Sequence, residues 1–516
     1  MSPPVIGIIG IIALLALIGL RVPVAIAMGM VGIVGGVIIN GWLSLGFVLG
    51  SQPFVTVFPY SLSVIPLFVM MGAFAARAGL SASLYQALHA LIGHWRGGLA
   101  SATIGACALF GAVCGSSLAT AATMARVSIP EMRALGYDDR LSGGTVAAGG
   151  TLGILIPPSI IMVIYAIMTE QSIGRLFLAG MIPGFLAAGL YMVAIYIVVR
   201  LRPSAAPLAP RSNAAARRAA FVQMAPVLGL FGAVMGSIYL NIASPTEAAA
   251  VGAFGAMVLA AFHRKLTYEV IRESLVETAS TTAIIFLILV GTSVLQFFIE
   301  TSTLPNLLLD QINYFKLPPL GVLVVILVIY IILGCFLDSL SMMLITLPIF
   351  FPLIVKIGYD PIWFGVLVTS VVEIGLITPP VGMNLFVIVS VAERMKFETV
   401  SAGVLPFLVA DCVRLCLLVA ALSAPLGADE LADRIAAAEQ GDSIDQYDLG
   451  TAYYFGNGVP QDYKQAYIWL SVAAIGGWDK AAERRDKAAA NLEPADLEQA
   501  KADAEALAKK LAALHH

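Results

Sequence analysis

Two proline pairs interrupt otherwise apolar stretches: LIPPSIIM, Leu155 to Met162, and ITPPVGMN, Ile377 to Asn384. Proline has no N–H and collides with the carbonyl one turn back, so a pair breaks a helix and leaves carbonyl oxygens without partners. At membrane depth such backbone survives only when buried in protein or lining a wet cavity. There the freed carbonyls can ligate a cation, and the half-helix that follows can turn its N-terminus to an anion. A lone membrane proline reads as a kink. The paired breaks Pro157, Pro158 and Pro379, Pro380 read as a site. Upstream of each lies a second irregular stretch. FGAVCGSSLATAATMARVSIPEM, Phe110 to Met132, is too rich in Gly, Ala, Ser and Thr for one ordinary span, and its counterpart runs from ILGCFLDSLSMM to LPIFFP. Both read as re-entrant helical hairpins with tips near Gly115-Ser116-Ser117 and Asp338-Ser339. Small residues let the two arms approach closely, and hydroxyls, the Asp338 carboxylate and bare carbonyls at the tips are hard oxygen donors.

The elements that must position these groups are membrane helices. Of 516 residues 59% are hydrophobic and 12% charged, with a mean hydropathy of +0.92; a soluble domain carries about 25% charge. Many runs reach the roughly 20 apolar residues a spanning helix needs, and the short alternating segments of a membrane barrel are absent. Candidate spans are Val5 to Leu20, Val24 to Asn40, Leu62 to Ala76, Leu176 to Val199, Phe221 to Leu240, Ala248 to Phe262, Thr282 to Ile299 and Val404 to Leu422. The first has neither a basic leader nor an A-x-A-like cleavage site and is expected to be retained. All five cysteines lie in apolar segments and read as free and structural.

Pro379 follows Pro157 by 222 positions, and the same offset relates SIPEMRALGYD (128–138) to FFPLIVKIGYD (350–360), Ser117 to Ser339, Gly143 to Gly365 and Gly153 to Gly375. The loop Arg200 to Arg218 carries five arginines and no acid, which places it in the cytoplasm. Counting spans outward puts His263-Arg264-Lys265, Arg394, Lys396, Arg126, Arg133, Arg140 and Arg21 on the same side. The segments NIASPTE and MTEQS, and both termini, fall on the other. The two copies then face opposite ways, the inverted-topology repeat of secondary transporters. The fold class expected is an all-α polytopic membrane protein with inverted repeats at about 62–200 and 280–424, two re-entrant hairpins, and a small helical tail. Amphipathic segments at 83–98 and 267–279 are expected to lie along the membrane face as arms before each hairpin. His89 and His94 read as interfacial residues. Glu247 reads as a helix-start carboxylate. Asp411 and Arg414, three apart on one helix face, read as a mutual pair that contacts another helix or a partner subunit in the membrane.

GHWRGGLA (93–100), FGAVCGSSLA (110–119), IPPSIIMVIYAIMTEQSIGRLFLAGMIPG (156–184), SPTEAAAVGA (244–253), LGCFLD (333–338) and GYDPIWFGV with EIGLITPPVGMNLFV (358–387) together resemble the large, DctM-like membrane subunit of tripartite ATP-independent periplasmic (TRAP) transporters. The likeness covers residues 1–425. It implies an elevator-type secondary transporter of the bacterial inner membrane that couples Na⁺ entry to uptake of an organic carboxylate. It also implies two partners, a periplasmic solute-binding protein and a small four-helix membrane subunit, with no nucleic-acid partner. Carried over by position, it implies Na⁺ ligation around Gly115, Ser117, Thr151, Gly153 and Pro157 in the first half, and around Asp338, Ser339, Gly375, Thr378 and Pro379 in the second. The carboxylate would lie between the hairpin tips, near Ser116, Ser117, Ser159, Thr378 and Asn384. The acid Glu373 stands where many relatives are expected to be neutral.

The composition turns polar near Pro425. Residues 438–477 resemble a SEL-one-like repeat, a relative of TPR helix pairs: LG-x-x-Y packs helix on helix, GNGVPQD turns, and A-x-x-W-L-x-x-A-A forms the second helix. A degenerate unit (430–441) and a long helix (493–514) flank it, giving a tail at 429–516 that the span count makes periplasmic, suited to binding protein rather than to catalysis. No Walker motif, H-E-x-x-H helix or Ser/His pair argues for an enzyme. Two alternatives remain open: an elevator transporter of a related family that works without a binding protein, and a transporter-derived sensor.

Overall fold

The computed structural model describes residues 2–208, 212–240, 242–315, 317–357, 359–422, 435–455, 459 and 462–514. Among them there are helices and no strands. The GNGVPQD turn, apart from Val459 and Asp462, lies outside the described residues, as do Gly358 of the second GYD turn, residues 430–434 and the expected domain junction at 425–429. The chain divides into two compact units, Met1–Leu353 with Pro361–Leu418, and Ile354–Asp360 with Val419–His516.

The chain enters the first unit through α1 (Pro3–Gly19), α2 (Val24–Val57), α3 (Val64–Arg77) and α4 (Leu80–Ile92). Then come α5 (Gly98–Cys114), α6 (Ser117–Ala134), α7 (Asp139–Leu155), α8 (Ile160–Thr169) and α9 (Ile173–Leu201). The helices α10 (Ala214–Tyr239), α11 (Pro245–Phe262) and α12 (Tyr268–Thr301) connect to the second half. That half consists of α13 (Leu304–Tyr314), α14 (Pro319–Gly334), α15 (Ser339–Lys356), α16 (Pro361–Ile377), α17 (Met383–Val391) and α18 (Phe397–Leu422). Nine of the described helices are long and apolar enough to cross a membrane, with α7 through α8 counted as one.

The 222-residue offset is realised in the helices themselves. It carries both ends of α6 onto both ends of α15, both ends of α7 onto those of α16, and the end of α8 onto the end of α17. It also carries α4 onto α13, which differs from the expectation for 267–279. That segment is no separate arm. Thr267 caps a helix by accepting from the Val270 amide at 3.3 Å, and no Gly or Pro follows until Gly291, so the helix runs unbroken for 34 residues. Its polar first turns are tied to α3, where Arg77 reaches Glu273 at 3.3 Å and Glu277 at 2.5 Å. Glu247 closes a capping box: the Ser244 amide donates to its carboxylate at 2.8 Å, and the Glu247 amide donates to the Ser244 hydroxyl at 3.3 Å. His89 faces Glu131 at 3.6 Å. The cysteines are free, with Cys107, Cys114 and Cys335 buried but Cys412 and Cys416 exposed on α18.

α7 is buried from Leu141 to Leu155. A helix so enclosed must let several neighbours in, and its small residues do so. A Cβ added at Gly144 would collide with the Gly403 carbonyl, and one added at Gly403 with the Arg140 carbonyl, so α7 and α18 touch through bare backbone. Beside this seam lies a charged cluster. Asp411 and Arg414 are both fully buried and pair at 2.9 Å. The Tyr191 hydroxyl of α9 lies 2.9 and 2.8 Å from the two Asp411 oxygens, and an Arg414 amino group donates to the Ser370 carbonyl of α16 at 3.4 Å. The expected pair therefore exists, and its helix partners are α9 and α16.

The second unit contains its own apolar centre. The helix Tyr463–Ile475 packs against Ser443–Phe455, Asp479–Ala489 and Pro494–Leu514. Asp462 caps it, accepting from the amides of Lys464 and Gln465 at 2.8 and 3.0 Å. Its buried face, with Ala466, Leu470 and Ala473, meets Ala481, Ala488, Ala500 and Ala504. Gly450, of the LG-x-x-Y segment, lets Ser443–Phe455 pass close to Leu470.

Two expectations follow. Gly403→Val forces a branched side chain into the α7 backbone and is expected to destabilise by about 1–3 kcal/mol, read as a lowered thermal midpoint in detergent. Arg414→Met leaves Asp411 charged and buried, a loss of about 3–5 kcal/mol; adding Asp411→Leu is expected to recover most of it, which a double-mutant cycle on thermal unfolding measures.

Candidate functional site

Each hairpin tip lies against the proline break of its own half. In the first half, α5 stops because Gly115 adopts the left-handed conformation, φ 64°. Ser116 then extends (φ −135°, ψ 125°), and its hydroxyl caps α6, accepting from the Ala119 amide at 3.4 Å. The break opposite contains a cis bond between Pro157 and Pro158. Ser159 caps α8 there, accepting from Met162 at 3.4 Å, and is buried. A Cβ placed on Gly115 would lie 3.3 Å from the Pro158 carbonyl oxygen, and one on Gly153 would lie 3.0 Å from the Ser116 carbonyl oxygen. The structure thus brings Gly115, Ser116, Gly153, Pro157, Pro158 and Ser159 together. The oxygens offered between tip and break are main-chain carbonyls, while both serine hydroxyls are engaged as helix caps.

The second half repeats the plan with different side chains. The Asp338 carboxylate caps α15, accepting from the Ser341 amide at 3.1 Å, and Ser339 beside it is buried. The break again contains a cis bond, between Pro379 and Pro380. The Gly382 amide, at the start of α17, donates to the Cys335 carbonyl of the tip at 3.2 Å. Gly375 packs backbone to backbone on Gly334. Thr378 turns its hydroxyl back to the Ile374 carbonyl at 2.6 Å. The carbonyls of Leu376 and Thr378 lie 3.1 and 3.3 Å from where a Gly382 Cβ would stand. Both halves therefore present the same main-chain arrangement, a tip and a break joined through glycines, with carbonyl oxygens gathered at the junction.

A set of side-chain contacts joins the first hairpin tip to the second break. The Asn384 side-chain amide, just past the second break, donates to the Ser117 hydroxyl at 3.0 Å and to the Ala147 carbonyl of α7 at 3.2 Å. The Ser117 hydroxyl, at the first tip, donates toward Glu373 at 3.4 Å. All three side chains are buried, Glu373 and Asn384 completely. Ser117, assigned by sequence to the first half, thus serves the second break as well. Thr151 is engaged elsewhere: its hydroxyl donates to the Ala148 carbonyl at 2.6 Å and lies 3.3 Å from the Tyr191 hydroxyl, on the edge of the Asp411 and Arg414 cluster. Tyr191 and the Ala147 carbonyl are the members of this buried array that sequence reasoning passed over. A tyrosine inside LYMVAIY carries no sign that its hydroxyl meets a carboxylate 220 residues away.

Residues 11–424 match the family model described as the tripartite ATP-independent periplasmic transporter, DctM component. A C4-dicarboxylate TRAP transporter large permease protein of Pseudomonas aeruginosa is 38% identical over 355 residues, covering 68% of this chain and 81% of that protein. A sialic acid TRAP transporter large permease protein of Vibrio cholerae is 35% identical over 357 residues, 68% of this chain and 82% of its own length. An ectoine TRAP transporter large permease protein of Halomonas elongata is 32% identical over 390 residues, 75% and 91% respectively. Among solved structures, the YdaH transporter of Alcanivorax borkumensis superposes with a TM-score of 0.57 at 14% identity, covering 81% of this chain and 98% of that one; at that identity the likeness concerns the fold, an all-α polytopic membrane protein of paired repeats and helical hairpins. The match runs through both hairpins and both proline breaks, and this chain belongs to the family of large permeases, the DctM component, of tripartite ATP-independent periplasmic transporters.

Proposed function

We propose that this chain is the inner-membrane permease of a three-part importer that drives uptake of an organic acid with a Na⁺ gradient. A periplasmic binding protein delivers the substrate, and a small four-helix subunit completes the membrane complex. The observation that carries this reading is the doubled junction of tip and break. Gly115 against Pro158, and Cys335 against Gly382, gather main-chain oxygens inside the protein, the donor type suited to a hard monovalent cation. Na⁺ fits this donor set, with no acidic cluster needed. The residues that would hold it are the carbonyl-bearing ones at Ser116 and Pro158 in the first half and at Cys335, Leu376 and Thr378 in the second, each pinned by a helix cap or a glycine contact. The substrate's carboxylate would lie between the tips, near Ser117 and Asn384, where a hydroxyl and an amide meet the start of α17.

The substrates named for relatives include C4-dicarboxylate, sialic acid, ectoine and isethionate, so the class within organic acids follows the binding protein supplied. The decisive experiment reconstitutes the chain with its small subunit in liposomes, adds purified binding protein, and follows labelled organic acids under a Na⁺ gradient alone. Accumulation that needs both the gradient and the binding protein is expected; accumulation without either sinks the corresponding half of the proposal. Ser117→Ala removes one buried hydrogen-bond partner, about 0.5–1.5 kcal/mol, and is expected to raise the half-saturating Na⁺ concentration by about two- to tenfold with folding retained. Gly382→Ala, which crowds the Thr378 and Leu376 carbonyls at a positive φ, is expected to weaken Na⁺ dependence likewise. For the tail, a cysteine placed at Gln440 is expected to react with a membrane-impermeant reagent added from the periplasmic side.

A further inference from the structure

The turn between α4 and α5, HWRGG, is fixed against the end of α9. Gly97 is in the left-handed conformation, φ 72°, and a Cβ placed on it would stand 2.8 Å from Ile195 and 3.1 Å from Val199. The turn therefore closes on α9 through bare backbone, and the Trp95 amide donates to the Ile92 carbonyl at 3.0 Å and the Gly98 amide to the Trp95 carbonyl at 2.9 Å. The loop that leaves α9 is fastened from the other side. The Asp138 amide donates to the Ala205 carbonyl at 2.9 Å, and the Leu99 amide to the Tyr137 hydroxyl at 3.3 Å. Three chain segments are thus held together at one end of a membrane-spanning helix.

That end collects positive charge beside an apolar face. Trp95, Arg96 and Arg200 are all exposed, and Arg200 lies in the last turn of α9. It terminates an exposed stripe that follows the helical period through Ile182, Phe185, Gly189, Val193 and Tyr196. The acids near the turn have other tasks. Asp139 holds Arg133 at 2.7 Å, Glu131 faces His89 at 3.6 Å, and the Asp138 carboxylate accepts from the Arg140 amide at 2.9 Å. Arg77, Arg133 and Arg414 each meet a carboxylate; among the described residues, Arg96 and Arg200 meet none and make no hydrogen bond. Two free guanidiniums, an indole and an apolar stripe leading away from them match a molecule with an anionic head and an apolar chain.

We propose that the HWRGG turn and the end of α9 form a binding site for an anionic phospholipid. Arg96 and Arg200 hold phosphate oxygens, which guanidinium groups can grip through two parallel N–H donors. Trp95 lies at the level of the headgroup, where an amphipathic ring is favoured, and an acyl chain runs along the α9 stripe. Basic pockets at the ends of membrane helices take lipid headgroups in this way.

The test is independent of transport. The full-length chain, stripped of lipid in a neutral detergent, is titrated with tetraoleoyl cardiolipin, with dioleoyl phosphatidylcholine, or with pyrophosphate, and its thermal midpoint is followed. Cardiolipin is expected to raise the midpoint, and the other two to leave it unchanged. Arg96→Gln and Arg200→Gln are each expected to raise the half-saturating cardiolipin concentration about fivefold while the lipid-free midpoint stays as in wild type. Arg264→Gln, an exposed arginine of another basic loop, is expected to change neither. An equal response to phosphatidylcholine overturns the proposal, as does a response to pyrophosphate alone, which marks a site for a free anion. A loss in Arg264→Gln as large as in the other two variants also overturns it, because diffuse surface charge then suffices. So does disappearance of the cardiolipin response when the small four-helix subunit is added, which assigns the face to a protein. Native mass spectra of the wild type need no variant: one retained cardiolipin is expected in preference to phosphatidylcholine, and no such preference overturns the proposal.

Discussion

Everything in this permease depends on one requirement: a main chain broken inside the bilayer must find its partners within the protein. A lipid-facing break would strand carbonyls and amides at a cost of several kcal/mol each. Here each break is instead closed by the hairpin tip of its own half. The Gly382 amide finds the Cys335 carbonyl, and Gly115 in its left-handed turn brings the first tip up to Pro158. The buried setting of α7 and α16, the run of small residues along α7 and the capping serines all follow from that closure. A helix that must be interrupted has to be surrounded, and a surrounded helix has to be slender. That is why glycine, alanine, serine and threonine dominate the centre while bulky apolar side chains such as Phe47 and Leu43 line the outside of α2.

The two halves share a plan but not a chemistry. Position 151 in the first half is a threonine that joins Tyr191 and, through it, Asp411. Its counterpart 222 residues on is Glu373, which joins Ser117. The duplicated fold thus places unlike side chains, with unlike partners, at matching positions. The contacts of Glu373 and Asn384 with the first hairpin tip meet at the single hydroxyl of Ser117, the first residue of α6.

Much of this was legible beforehand. The paired prolines, the recurring offset and the small-residue tips are local features, and proline and glycine act on the chain wherever they stand. The 222-residue offset read from the sequence also relates the ends of α6 to those of α15 and the ends of α7 to those of α16. The amphipathic pattern of 267–279 resembles an interfacial arm, but the lack of any breaker before Gly291 makes it the start of one 34-residue helix. Side-chain roles were harder to read. Ser116, Ser159 and Asp338 offer oxygens in the sequence, but each has one engaged at a helix start, and the pairing of Asn384 with Ser117 spans 267 residues. Such partners are set by three-dimensional packing, to which a single sequence offers no local clue.

The seam between α7 and α18 carries a mechanical consequence. Where two main chains press together without side chains between them, at Gly144 and Gly403, there is no lubricating layer of rotamers to absorb relative slip. Those two helices must travel as a welded beam. Whatever displacement the cycle demands has to be taken up at joints beyond that weld.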